Sequence, residues 1–254
     1  MILFWSLLVF AVFILSLIYF VPKLLLSERR RRKGIDRIAE ENGWSIDRSR
    51  RDRLPDELVG ETIFNMGDPE TYASFRVSLT LSGTHRDRDF LLISRGATRY
   101  RRQEGHATTY IFTKLSDTPA FTPLFIHPKS GVMDSMLQMD AGVKKLDKSV
   151  KSVFFSKIST PAPFSDHYTL RGQRGARDHI TEDVQAALLA RPEMMRNPAE
   201  KWYRRFSTYP GASERYAWVD VQAAIPETLN SRLDALMDWA DMIQPTAKTE
   251  ASRV

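Results

Sequence analysis

Polar and apolar positions along this chain follow three regimes. From Ile2 to Val21 the apolar character is broken only by Ser6, Ser16 and Tyr19. Twenty such residues at ~1.5 Å per residue make ~30 Å of helix, the depth of a bilayer core. No Lys or Arg precedes the run, and Pro22, Lys23 and the bulky Leu24, Leu25 and Leu26 follow it. That is unlike a signal-peptide cleavage site, so the segment reads as an uncleaved anchor. The second regime is helical: "IDRIAEENG" places Ile35, Ile38 and Ala39 on one face with Gly43 as a C-terminal stop. Residues 47–58 are charged, contain Pro55 and read as a loop.

The third regime has a period of two. In "ETYASFRVSLTLSG" (70–83), Ala73, Phe75, Val77, Leu79 and Leu81 fall on one side and Ser74, Arg76, Ser78, Thr80 and Ser82 on the other, the mark of a half-buried strand. "SGTHRDRD" is expected to turn the chain into a short buried strand at 90–94. Further strands are expected at 108–115, 122–126, 152–158, 166–171, 202–209 and 216–222. Two helices interrupt the series, at 180–190 with Asp178 or Thr181 as N-cap, and from Pro226 to Gln244 with Leu229, Leu233, Leu236, Met237, Ala240 and Ile243 as its apolar stripe. On that helix Asp234, Asp238 and Asp241 are expected in solvent. Segregated strands and helices predict an α+β fold: an N-terminal transmembrane helix, then a mainly antiparallel β-sheet, as a bent sheet or split barrel, with a C-terminal helix. The expected divisions are an anchor at 1–26, a basic juxtamembrane helix and linker at 27–58, a cytoplasmic domain at 59–245 and a disordered tail at 246–254.

Charge fixes the expected orientation. Arg29, Arg30, Arg31, Arg32 and Lys33 directly follow the anchor, which holds the bulk of the chain on the cytoplasmic side of a bacterial inner membrane with the N-terminus outside. Trp5 and Tyr19 lie near the two ends of the span, where interfacial aromatics are favoured. The same basic run suits anionic lipid headgroups, at ~1 kcal/mol per charge near the surface. The whole chain has 37 Lys plus Arg and 31 Asp plus Glu. Six of those bases and one acid fall in residues 1–33, which leaves 31 and 30 for the remainder. The soluble part is therefore nearly neutral. A nucleic-acid partner is not expected, although "RGATRYRRQEGH" (95–106) is locally basic. The absence of cysteine excludes disulfides, thiolate metal sites and Cys nucleophiles.

The order of features, namely the anchor, the basic run, a helix ending in "NGW", "FRVSLTLSG", "TTYIFTKL", "FTPLFIHPKSG", "HYTLRG", "ITEDVQAALLA" and a closing strand and helix, resembles a family of uncharacterised bacterial single-pass membrane-anchored proteins, a domain of unknown function. The resemblance implies a membrane-tethered cytoplasmic domain and carries no catalytic residue over.

Chemistry is sparse. The histidines at 85, 106, 127, 167 and 179 show no metal-ligand spacing, and no cofactor or metal is expected. "SDH" (165–167) has the letters of a hydrolase triad, but neighbours in a strand point to opposite faces. "RGQRGARDH" (171–179) is the most suggestive stretch. Arg171, Arg174 and Arg177 are interleaved with Gly172 and Gly175 ahead of a helix N-terminus, a pattern that favours an anion or lipid headgroup. "FTPLFIHPKSG" (121–131) suits an edge strand or an exposed partner groove. The function expected from these features is a binding or accessory-subunit module with a membrane-protein partner. The alternative is a membrane-bound hydrolase of phosphate- or acyl-containing substrates, in which His127, His167 or His179 meets an acid in three dimensions.

Overall fold

The computed structural model describes residues 26, 29–49, 51, 54–59, 61, 77–95, 109–115, 121–129, 157–173, 175–192, 209–220 and 226–244. Residues 1–25 of the proposed anchor, Arg174, the 96–106 loop, most of the strands expected at 152–158 and 202–209, and the tail from 245 lie outside the described residues. The chain divides into two compact units, Met1–Gly43 and Trp44–Val254.

In the first unit, residues 29–42 form a helix, α1. It begins earlier than the apolar spacing predicts and takes in the whole basic run. Its end is the expected one: Gly43 sits at φ +69, left-handed backbone that suits glycine, and its N–H donates to the Glu40 carbonyl. Arg29, Arg30, Arg32 and Lys33 are exposed on α1 and Arg31 is half-buried. No helix among the described residues is long and apolar enough to cross a membrane.

The second unit is an α+β fold on one open antiparallel sheet. Its described strands are β1 (Ser45–Asp47), β2 (Val77–His85), β3 (Arg88–Arg95), β4 (Thr109–Lys114), β5 (Leu124–Pro128), β6 (Lys157–Ile158), β7 (Tyr168–Gly172), β8 (Tyr209–Ala212) and β9 (Tyr216–Asp220). Their order across the sheet is β1-β2-β3-β4-β9-β8-β5-β7-β6, with β1 and β6 as edges, so the sheet does not close into the split barrel that the pattern allowed. A single helical turn, α2 (Phe164–His167), precedes β7; α3 (Glu182–Ala190) and α4 (Pro226–Ile243) are the longer helices of this unit.

Register decides which residues share a face. Leu92 opposes Ile111, which opposes Val219, while Leu91 opposes Phe112, which opposes Trp218. Directly opposed residues point the same way, so these are two faces. The first faces α4, which packs on β4 and β9, and we call it the helix face. The predicted α4 stripe is buried in full, and Arg232 and Trp239 are buried with it. The second face carries Ile93, Phe112, Trp218 and Phe125 under Leu54 and Leu58, the latter from a 3-10 turn at Asp56–Leu58.

Two local departures have physical causes. The β2–β3 turn is only Arg86–Asp87, both at positive φ (50 and 61), the backbone of a two-residue hairpin whose twist matches its strands. The strands therefore run through the "SGTHRDRD" segment expected to be loop. In β2 a bulge between Val77 and Leu79 pairs Val77 with Arg95, and Val77 joins the cluster of the second face while Leu79 stays on the helix face. Strict alternation had placed both on one side.

Candidate functional site

Of the three arginines proposed for anion binding, the structure sets Arg171 apart. It lies in β7, 9% exposed, directly opposite Phe125 of β5. Its Nε donates to His127 Nε2 at 3.2 Å. His127 is 1% exposed and opposes Thr169, so His127, Thr169 and Arg171 form one buried polar cluster on the second face of the sheet. Because the guanidinium can only donate, His127 Nε2 is an acceptor, the imidazole is neutral, and its Nδ1–H is left to donate to the Pro128 carbonyl at 3.1 Å. Arg177 is on a different element, an exposed position of the 3-10 turn Ala176–His179.

The glycines of that stretch serve the backbone. A Cβ at Gly172 would stand 2.7 Å from the Pro123 carbonyl oxygen, and Gly175 sits at φ +99. The N-terminus of α3 is occupied by its own chain. Thr181, one of the two expected caps, accepts from the Val184 N–H at 3.4 Å, and Glu182 and Asp183 supply negative charge to the first turn.

The histidines named for the hydrolase reading have structural surroundings. His179 stacks on Phe121 with centroids 3.7 Å apart, and its Nε2 accepts the Thr122 N–H at 3.2 Å. Burial holds its pKa below the ordinary imidazole value, against a small opposing pull from Asp178. His167 is exposed on α2. A histidine that does meet a carboxylate is His85, which the sequence did not single out: Nε2 lies 2.8 Å from Asp234 Oδ1. Because a carboxylate only accepts, this nitrogen carries the proton.

That contact is one part of a clamp between the hairpin tip and α4. Arg86 reaches Asp238 at 2.6 Å, Arg88 reaches Asp241 at 2.6 Å, and Arg191 joins Asp238 at 3.2 Å. Asp238 holds the Arg86 guanidinium above its ordinary pKa. The three aspartates expected in solvent are thus partnered, because their four- and three-residue spacing sets them in one row that the turn overhangs. A second tie fastens the strap over the other face. Glu61, 1% exposed, accepts from Ser213 Oγ and from Arg215 Nε at 2.5 Å, and the Glu57 carbonyl accepts from Arg215. No sequence signal linked Glu61 to residues about 150 positions away.

Most buried polar atoms on the two faces are satisfied within the chain, and a few are not. On the helix face Thr109 Oγ1 donates to Ser94 Oγ and Thr113 Oγ1 to the Asp89 carbonyl, while Trp44 and Trp239 donate to the carbonyls of Thr84 and Gly211. Among the described residues, Thr169 Oγ1 and Trp218 Nε1 on the second face and Nη2 of Arg232 on α4 are buried without a hydrogen-bond partner. Each such group costs ~1–3 kcal/mol relative to a satisfied one.

No family model matches the chain, and no curated protein sequence matches it. Among solved structures, one of similar shape is a crystal structure of the mycobacterial trehalose monomycolate transport factor A. The match spans 85% of this chain and 95% of that one at 10% identity, with a TM-score of 0.46. A likeness of that size carries no argument about function.

Proposed function

We propose that the chain is a binding or accessory module tethered to the cytoplasmic face of a bacterial inner membrane by residues 1–26, with its N-terminus outside and a membrane-protein partner. The observation that carries this reading is the basic run itself: it follows twenty nearly uninterrupted apolar residues and is displayed, largely exposed, on the first turns of α1. Such a helix meets anionic headgroups with several charges at once. Tethering then raises the local concentration of the second unit for a partner in the same membrane without any new contact. A binding role is further supported by the structural employment of the histidines proposed for hydrolysis, one against Arg171 and one stacked on Phe121.

Two measurements test it. Protease added to right-side-out spheroplasts is expected to leave the bulk of the chain intact, and the same protease on inverted vesicles to digest it. Affinity purification from gently solubilised membranes is expected to recover a stoichiometric membrane-protein companion. Digestion from outside overturns the topology, and recovery of the chain alone overturns the accessory role.

A further inference from the structure

Charge runs along α1 against the sense that a helix favours. Residues 29–33 are five bases with no acid, whereas residues 34–42 hold three acids, Asp36, Glu40 and Glu41, and one base, Arg37. The first stretch thus carries +5 and the second a net −2, on side chains that are exposed except for the half-buried Arg31. A helix dipole favours acids near the N-terminus and bases near the C-terminus. The second unit complies, with Glu182 and Asp183 in the first turn of α3 and Glu227 in that of α4. In α1, Glu40 and Glu41 instead lie in the last turn before Gly43. The Arg37–Glu41 pair, at 3.2 Å with side chains 76% and 58% exposed, is too screened to offset that order. An anionic surface at the basic end does offset it, because it attracts residues 29–33 and repels the acids.

We propose that α1 stands away from the membrane as a stalk, with residues 29–33 among anionic headgroups and Glu40 and Glu41 in the cytoplasm. This rests on the tethering reading and adds to it an orientation and a kind of partner. Lying flat is the alternative, and the helical period opposes it. Glu40 is seven residues from Lys33 and eleven from Arg29, about two and three whole turns, so it shares their side of α1. Any roll that sets those bases on lipid brings Glu40 down with them. Standing upright separates the charges along the axis instead. At ~1.5 Å per residue Glu40 is ~10 Å beyond Lys33, further than the Debye length of ~8 Å at physiological salt. The acids are then screened from the headgroups while the bases stay within their field. Gly43, where α1 ends, is ~15 Å beyond Lys33. Chain that leaves α1 there starts in the cytoplasm, so a companion reached from it is a membrane protein with a projecting cytoplasmic portion.

The test uses the full chain reconstituted in vesicles of phosphatidylcholine and phosphatidylglycerol in equal parts. The chain has no cysteine, so an introduced thiol carries the label without background. Lys33→Cys, Arg37→Cys and Glu40→Cys are made singly and labelled with a fluorophore, and a headgroup-borne nitroxide is the quencher. Quenching is expected to fall stepwise from position 33 to position 40, where it reaches the level of a label in water. Equal quenching at 33 and 40 overturns the stalk. A second variant, Arg29→Glu, Arg30→Glu, Glu40→Arg and Glu41→Arg together, keeps the net charge and reverses its order. Its helical circular dichroism is expected to match or exceed that of the wild type, because the new order suits the dipole. Beside the wild type, spin-labelled phosphatidylglycerol is expected to be enriched over phosphatidylcholine at least about fivefold, the factor that one base near the surface supplies, and beside the variant not at all. A variant that keeps the enrichment overturns the proposal. Equal quenching leaves the protease result standing, whereas digestion from outside overturns the tethering reading itself, so the two failures are distinguishable.

Discussion

Three tryptophans among the described residues are buried, and comparing them separates the two faces of the sheet. Trp44 and Trp239, on the helix side, bury their rings and satisfy their N–H groups on carbonyls at 3.1 and 2.8 Å. Trp218, on the other side, buries its ring as deeply and leaves its N–H without a partner. Each face also reserves a glycine for an indole: Gly83 under Trp44 and Gly211 under Trp218. Packing is therefore close on both sides, and the difference lies in how the indole N–H groups are satisfied. Both faces hold the fold together: α4 covers one, and Leu54 and Leu58 pack with Ile93, Phe112, Phe125 and Trp218 on the other.

The largest test of this contrast is Trp239→Ala. The ring is fully buried and its N–H serves the Gly211 carbonyl, so the expected loss is ~3–5 kcal/mol by thermal or denaturant unfolding of the full chain. A loss below ~1 kcal/mol would show that the helix face contributes little to stability. Next comes Gly211→Ala, which drives a methyl group into the Trp218 ring. Overpacking of this kind costs ~1–3 kcal/mol. A variant with wild-type stability would mean that Trp218 repacks freely. The smallest effect belongs to the clamp between hairpin and α4. Asp238→Asn removes a carboxylate shared by Arg86 and Arg191, whose side chains are about half exposed, so solvent screening limits the loss to ~0.2–1 kcal/mol. That loss should shrink as salt rises from 0.01 to 1 M, over which the Debye length falls from ~30 to ~3 Å. A loss indifferent to salt would show that the clamp works by packing rather than by charge.

The period-two and 3.6-residue patterns located most of the described elements because burial of one face is a local property of a strand or helix. The α4 stripe is an example: all six predicted apolar positions are buried. Where prediction missed, a long-range partner had intervened. The β2 bulge moved Val77 to the other face, and the two strands continued to a turn at Arg86–Asp87 that α4 meets with three carboxylates. The candidate site was legible only in fragments. Arg171 was named for its charge and ends the strand expected at 166–171, but nothing in "RGQRGARDH" shows that it would be buried against His127. Thr169 and Trp218 gave no signal at all, since an unsatisfied group is defined by what surrounds it.

The sequence by itself determined the apolar run, the adjacent bases, the α+β class and the apolar faces, all of which depend on residues close together along the chain. The strand order, the clamp, the Glu61 tie and the contact of Arg171 with His127 were decided only by the tertiary structure. The physical reason is that hydrogen-bond satisfaction and cross-strand opposition join residues tens to more than a hundred positions apart, and no periodicity encodes which of them will meet.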